Sequence, residues 1–256
     1  MKNQILIAVA VFASCLFTAC SSENQIIEKK PTFLNENIVN TTPNSIDKVI
    51  TRNHTLKYLA LGDSYTIGQS VCETCKFPEQ LQEALRNTNT ENNFSLKVIA
   101  RTGWTTNDLI NAMDAQNPAT NYDLVTLLIG VNNQFQNIDF AVYEKEFSYL
   151  IDKSIAYAKG NKTNVIVISI PDYAYTPYGQ LSGKFDTISA EISLYNAYAK
   201  KYCDENGIAF SNITAISQNG LTNPSLVAID GLHPSETAYT LFTQSIAPKA
   251  AVILNQ

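Results

Sequence analysis

Two histidines occur in the 256-residue chain, and one of them, His233, stands in a motif that could do chemistry. It lies in Asp230-Gly231-Leu232-His233-Pro234, three residues after a carboxylate. A neutral imidazole turns a hydroxyl into a nucleophile by taking its proton. A carboxylate bound to the other ring nitrogen fixes the tautomer and stabilises the imidazolium. Asp230 and His233 on one short turn can meet without help from the rest of the fold, but the hydroxyl must be brought to them. The candidate hydroxyl is Ser64, in LKYLALGDSYTIG over residues 56–68. There an apolar run with Leu56, Tyr58, Leu59 and Leu61 stops at Gly62-Asp63-Ser64. Such a run reads as a strand, and side chains at the C-terminal ends of strands in open α/β sheets point into the crevice where ligands bind. Gly-Asp-Ser is equally a good helix start, with Asp63 or Ser64 as N-cap, so the motif alone leaves both roles open. The other histidine, His54, sits in a Thr-Arg-Asn-His-Thr linker and reads as an exposed side chain.

The elements that must position these groups come in alternation. A strand over 94–100 leads to Arg101-Thr102-Gly103, where the glycine suits a tight turn or the close approach of a ligand. A helix follows, with Thr105 or Thr106 as N-cap and Asp108 placed to suit its dipole. Residues 122–129 are nearly all apolar, as in a strand covered on both faces, and end in Gly130-Val131-Asn132-Asn133. Asn132 there can cap a turn or face a ligand. A long amphipathic helix over 140–159 buries Phe147, Leu150, Ile151, Ser154 and Ile155, and a second buried strand runs over 164–170. Residues 173–185, with Tyr173, Tyr175 and Tyr178, read as a loop whose aromatic rings line a groove or pack on the domain. A helix over 188–206 stops at Gly207, a short strand covers 207–210, and Pro234 opens a last helix to about residue 254. Strand, helix, strand, helix is the pattern of a parallel, helix-covered α/β sheet.

Composition narrows the class. The chain is 45% apolar and 16% charged, enough for one sizeable core. A net charge of −5 without clustered Lys and Arg argues against nucleic acid as a partner. Lys2 precedes an apolar run over 5–17, too short to span a bilayer comfortably and suited to the core of a secretory signal. It ends in Leu16-Phe17-Thr18-Ala19-Cys20-Ser21-Ser22, which resembles a bacterial lipoprotein cleavage site. That resemblance implies a signal peptide over 1–19, a lipidated Cys20 anchoring the chain to a membrane of the cell envelope, and a polar tether to residue 54. Plain secretion is the alternative. In an exported chain the Cys72-x-x-Cys75 pair reads as a structural disulfide. Zinc would need further ligands than Cys203 and two distant histidines, so neither a metal nor a cofactor is expected.

Four blocks together resemble the SGNH hydrolase family, also called GDSL esterases and lipases. Gly62-Asp63-Ser64-Tyr65 is similar to its first block, Gly103 to the glycine of the second, Gly130-Val131-Asn132-Asn133 to the third, and Asp230-Gly231-Leu232-His233-Pro234 to the last. The name-giving motif has Leu where this chain has Tyr65, and Asp is frequent at the position of Asn133. The resemblance implies a flavodoxin-like three-layer α/β/α sandwich over residues 55–256, with a mainly parallel central sheet. It further implies a serine esterase in which Ser64 attacks an ester carbonyl, His233 is the general base and Asp230 orients it. The oxyanion would lie among the backbone N–H groups of Ser64 and Gly103 and the side-chain amide of Asn132. An imidazole base, ordinarily of pKa about 6.5, makes activity fall on the acid side. No Gly-x-Ser-x-Gly elbow of the unrelated α/β-hydrolases occurs. The expected substrate is a small-molecule or glycan ester. The alternatives are acyl transfer by the same residues and a non-catalytic, glycan-binding surface lipoprotein.

Overall fold

The first strand, β1 (His54–Gly62), is buried from Tyr58 onward on both faces. The computed structural model describes residues 54–88 and 92–255; the segments read as signal peptide, lipidation site and tether lie outside the described residues, apart from His54, which opens β1 exposed. Leu59 and Leu61 are wholly enclosed, each worth about 1.5–3 kcal/mol of burial. After β1 come α1 (Ser64–Ile67), α2 (Phe77–Thr88), β2 (Asn92–Ala100), α3 (Thr106–Gln116), β3 (Leu124–Leu128), α4 (Val131–Phe135) and α5 (Phe140–Tyr157). Then follow β4 (Val165–Ile168), α6 (Pro177–Leu181), α7 (Phe185–Asn206), β5 (Ala209–Ser211), α8 (Thr214–Ser217) and α9 (Glu236–Leu254).

The five strands form one sheet in the order β2-β1-β3-β4-β5, every pairing parallel. α2 and α9 pack together on one side, and α3, α5 and α7 on the other, which makes a flavodoxin-like α/β/α sandwich. Coverage on both sides explains why β3 and β4 are buried at every position. α5 turns a stripe of Tyr143, Phe147, Leu150 and Ile151 inward at helical spacing, and its buried Ser154 is satisfied by donating to the Leu150 carbonyl at 2.7 Å. The register matters for the site. Gly62 at the end of β1 lies opposite Ala100 of β2 and Leu128 of β3, so the loops after these three strands leave the sheet side by side. The chain runs from β1 outward to β2 and then back across to β3. This reversal opens a crevice at the strands' carboxyl ends.

The structure corrects the reading of residues 173–185 as loop. Tyr173–Tyr175 forms a 3-10 turn, Pro177–Leu181 is α6, and α7 begins at Phe185 rather than 188. Thr176 starts α6: its Oγ1 accepts from Gly179 N at 3.0 Å, and Pro177 supplies a preset first helical residue. Gly207 ends α7 in the left-handed region, as expected, and β5 starts two residues later. Ser235, not Pro234, caps α9, accepting from Ala238 N at 3.2 Å. Pro234 instead pairs with Val227 in an isolated antiparallel bridge.

Candidate active site

Gly-Asp-Ser both ends β1 and starts a helix. Asp63 is the N-cap of α1, its Oδ1 accepting from Tyr65 N at 3.0 Å, and Ser64 is the first helical residue. A first-turn N–H has no carbonyl within its own helix. Among the described residues the Ser64 N–H donates to no protein acceptor, and neither does that of Gly103. Gly103 has φ +86°, a conformation that L side chains rarely adopt, and an added Cβ would meet nothing within 4 Å. The glycine is thus needed for its backbone conformation and not for space.

Asn132 leaves the end of β3 through Gly130, whose φ is +125°, and lies in the first turn of α4. Its Nδ2 donates to the Trp104 carbonyl at 2.9 Å, which aims the amide and leaves its second hydrogen free for the crevice. The neighbouring Asn133 is fully buried and clamps α4 to the start of α3. Its Oδ1 accepts from Thr106 N at 2.9 Å and its Nδ2 donates to Thr106 Oγ1 at 2.6 Å. Thr105 caps α3 in a capping box with Asp108, and Thr102 Oγ1 donates to Gln69 Oε1 at 2.7 Å, tying the Gly103 loop to the segment after α1.

His233 Nδ1 and Asp230 Oδ2 are 2.6 Å apart. Asp230 Oδ1 also accepts from the backbone N–H groups of Leu232 at 2.9 Å and His233 at 3.0 Å, so this turn holds its own carboxylate. Tyr65 lies edge-on to the imidazole with ring centroids 6.0 Å apart. With Nδ1–H directed at Asp230, Nε2 is the nitrogen left to accept a proton. Ser64, Gly103, Asn132 and His233 line one cavity of about 220 Å³, closed by Tyr65, Val131, Phe135, Tyr173 and Leu232. All the residues singled out in the sequence for this chemistry meet here, with Asp230 behind the imidazole.

Sequence reading missed Ser70. Its Oγ–H donates to Asp230 Oδ2 at 2.5 Å across 160 residues of chain. Ser70 itself has φ +68°, unusual for a residue with a Cβ, in the short segment between α1 and the Cys72–Cys75 disulfide. Two carbonyl contacts bind the start of that segment to the nucleophile candidate: Gly68 N and Gln69 N both donate to Ser64 O, at 3.1 and 3.0 Å. One loop therefore touches Ser64 at one end and Asp230 at the other. Partial burial works against a charged Asp230, but the hydrogen bonds from Ser70, His233 and Leu232 prevail and hold its carboxyl well below the usual carboxylate range. Asp63 is the opposite case. Complete burial pushes it up to about 7, opposed by hydrogen bonds from backbone N–H groups. Among the described residues no group of three or more His, Cys, Asp or Glu side chains could hold a metal, and Cys203 is a buried free thiol.

Several solved structures share this architecture. One is a member of the lipolytic protein G-D-S-L family from Veillonella parvula: 18% identity, TM-score 0.58, covering 78% of this chain and 99% of that one. The acetylxylan esterase Axe2 from Geobacillus stearothermophilus is similar at 19% identity and TM-score 0.58, covering 76% and 94%. The psychrotrophic esterase EstA from a Pseudoalteromonas species matches at 16% identity and TM-score 0.54, covering 78% and 99%. At such identities the likeness shows the fold alone. No curated protein matches the chain. Residues 60–241 match the GDSL-like lipase/acylhydrolase family, a span from the middle of β1 into α9 that takes in Ser64, Gly103, Asn132, Asp230 and His233. The chain belongs to the GDSL-like lipase/acylhydrolase family.

Proposed function

We propose that the protein is an exported serine esterase, tethered to the cell envelope by a lipid on Cys20, that hydrolyses acyl or O-acetyl esters through Ser64, His233 and Asp230. The observation that carries this reading is the Asp230–His233 pair, 2.6 Å apart, behind the same cavity that Ser64, Gly103 and Asn132 line. His233 Nε2 takes the Ser64 hydroxyl proton as Oγ bonds to the ester carbonyl carbon. The carbonyl π electrons move onto oxygen, and the N–H groups of Ser64 and Gly103 and the Asn132 amide hold that oxyanion. Collapse breaks the bond to the alcohol oxygen, which leaves with the proton from His233. A water, deprotonated by the same imidazole, then releases the acid and restores Ser64. The esterase names of two solved relatives, Axe2 and EstA, are in keeping with this chemistry.

The test is hydrolysis of p-nitrophenyl acetate and of longer acyl esters by the chain from Ser21 onward. Activity is expected, and its rate should fall on the acid side. The sign follows from the two groups. A protonated imidazole cannot accept the serine proton, whereas Asp230, held below the carboxylate range, stays charged throughout the assay and adds no second limb. A flat profile from about pH 5 to 8 would remove His233 from the role of base.

Asn132→Ala tests the third oxyanion donor. Losing one such donor lowers turnover by about 100-fold to 1000-fold, and the variant should stay folded because Asn133, not Asn132, carries the buried clamp to α3. Full turnover in the purified variant would place the oxyanion elsewhere.

A further inference from the structure

A second cavity adjoins the first. It has a volume of about 440 Å³, in the usual range of small-ligand sites, and shares the wall formed by Phe135 and Tyr173 with the cavity that Ser64 and His233 line. α4, α6 and the first turns of α7 enclose it. Leu181 lines it at 88% exposure, and two aromatic side chains line it half exposed, Phe135 at 48% and Tyr178 at 41%. Their rings, together with Tyr173, form a bent shelf, with centroids 6.1 Å apart from Phe135 to Tyr173 and 6.3 Å from Phe135 to Tyr178.

Leu181 and Ile188 add aliphatic surface to the lining, and a hydrogen-bonded polar row stands beside them. Tyr173 Oη donates to Gln134 Oε1 at 2.9 Å, and Gln134 Nε2 donates to Glu191 Oε2 at 2.7 Å. This row leaves the Glu191 carboxylate as an acceptor facing the cavity. Lys184, also in the lining, has no ion-pair partner among the described residues, and Thr187 adds a hydroxyl. A hydrocarbon chain lying here would strip water from the half-buried Glu191 carboxylate and offer it nothing in return. A pyranose ring presents an apolar C–H face to an aromatic shelf and hydroxyls, each donor and acceptor, to the polar groups around it.

We infer that this second cavity is a sugar subsite, which holds a pyranose ring of the substrate while the ester it carries reaches Ser64 over the exposed edge of Phe135. The inference rests on the esterase reading and narrows it to O-acylated glycans. Phe135 borders both cavities, so the ring is held one side chain away from the reacting ester.

The experiment separates the two claims. Titration calorimetry measures binding of xylotetraose, cellotetraose and N-acetylchitotetraose, at millimolar concentrations, to the full chain and to Tyr178→Ala; p-nitrophenyl acetate hydrolysis is followed in both. At least one of the three sugars is expected to bind, and Tyr178→Ala to weaken that binding about tenfold. The small acetate ester does not reach the second cavity, so its hydrolysis should change less than about twofold. If Tyr178→Ala fails to fold by circular dichroism, Glu191→Gln, which keeps the side-chain shape and removes the charge, takes its place with the same expectation. Binding of none of the sugars overturns the subsite, as does binding that the variants leave unchanged. So does a variant that instead loses rate on p-nitrophenyl octanoate relative to acetate, since the cavity would then hold the acyl chain. Sugar binding by a folded chain that does not cleave p-nitrophenyl acetate would keep the subsite and overturn the esterase.

Discussion

Ser64→Ala and His233→Ala are each expected to lower turnover of p-nitrophenyl acetate on the order of a million-fold, and the double variant to be no worse than either alone. In the proposed mechanism the two groups act as one device. Without the imidazole the hydroxyl keeps its proton, and without the hydroxyl the imidazole has no nucleophile to activate. Neither substitution should disturb the fold. Ser64 contributes its carbonyl, not its side chain, to the loop that follows α1, and the cap of α1 belongs to Asp63. The His233 ring is held mainly by Asp230, whose two backbone contacts on the turn survive the substitution. Circular dichroism of each purified variant beside its turnover checks the result. Activity in folded Ser64→Ala within tenfold of the parent would exclude Ser64 as nucleophile.

Asp230→Asn should cost about 10⁴-fold in turnover with little change in KM, because an amide can present its N–H to His233 Nδ1 and favour the wrong tautomer. Ser70→Ala is the informative companion. It removes one donor from the same carboxylate oxygen while leaving the charge, and its cost should be about tenfold in turnover, again with KM unchanged. The sign of the pH effect is fixed by the direction of the Asp230 shift. Its folded-state value lies below the unfolded one, so the ionised form is favoured by the fold above the ordinary carboxylate range, and that contribution is lost as pH falls toward the folded value. Across a neutral assay range the parent carboxylate therefore stays charged. A variant that recovers parent turnover at any pH between about 6 and 8 would show that the carboxylate does not orient His233.

The contrast between Asp230 and Ser70 shows where sequence reading stops. Asp230 and His233 are three residues apart, and a turn that short brings them together by covalent geometry, so their pairing was legible in the chain itself. The strands were legible for a related reason. β4 is an unbroken apolar run and β3 is interrupted only by Thr126, because helices cover both faces, and the turn residues Gly62, Gly103 and Gly130 mark the end of β1, the turn after β2 and the end of β3. The resemblance of four short blocks to one family supplied the roles, and the match over residues 60–241 bears out the family.

Ser70 carried no such signal. Its partner is 160 residues away, and a serine in a polar loop looks like any other until the loop is folded back against the final turn. The segment 173–185 was misread because its tyrosines, prolines and glycines suggest a turn, while the hydroxyl of Thr176 and the fixed φ of Pro177 begin a helix. The sequence by itself determined which groups could react and which strands would end beside them, since residue type and period are local properties. Only the tertiary structure decided that Ser64, Gly103, Asn132 and His233 share one cavity, because parallel register is what sets Gly62, Ala100 and Leu128 level at the edge of the sheet.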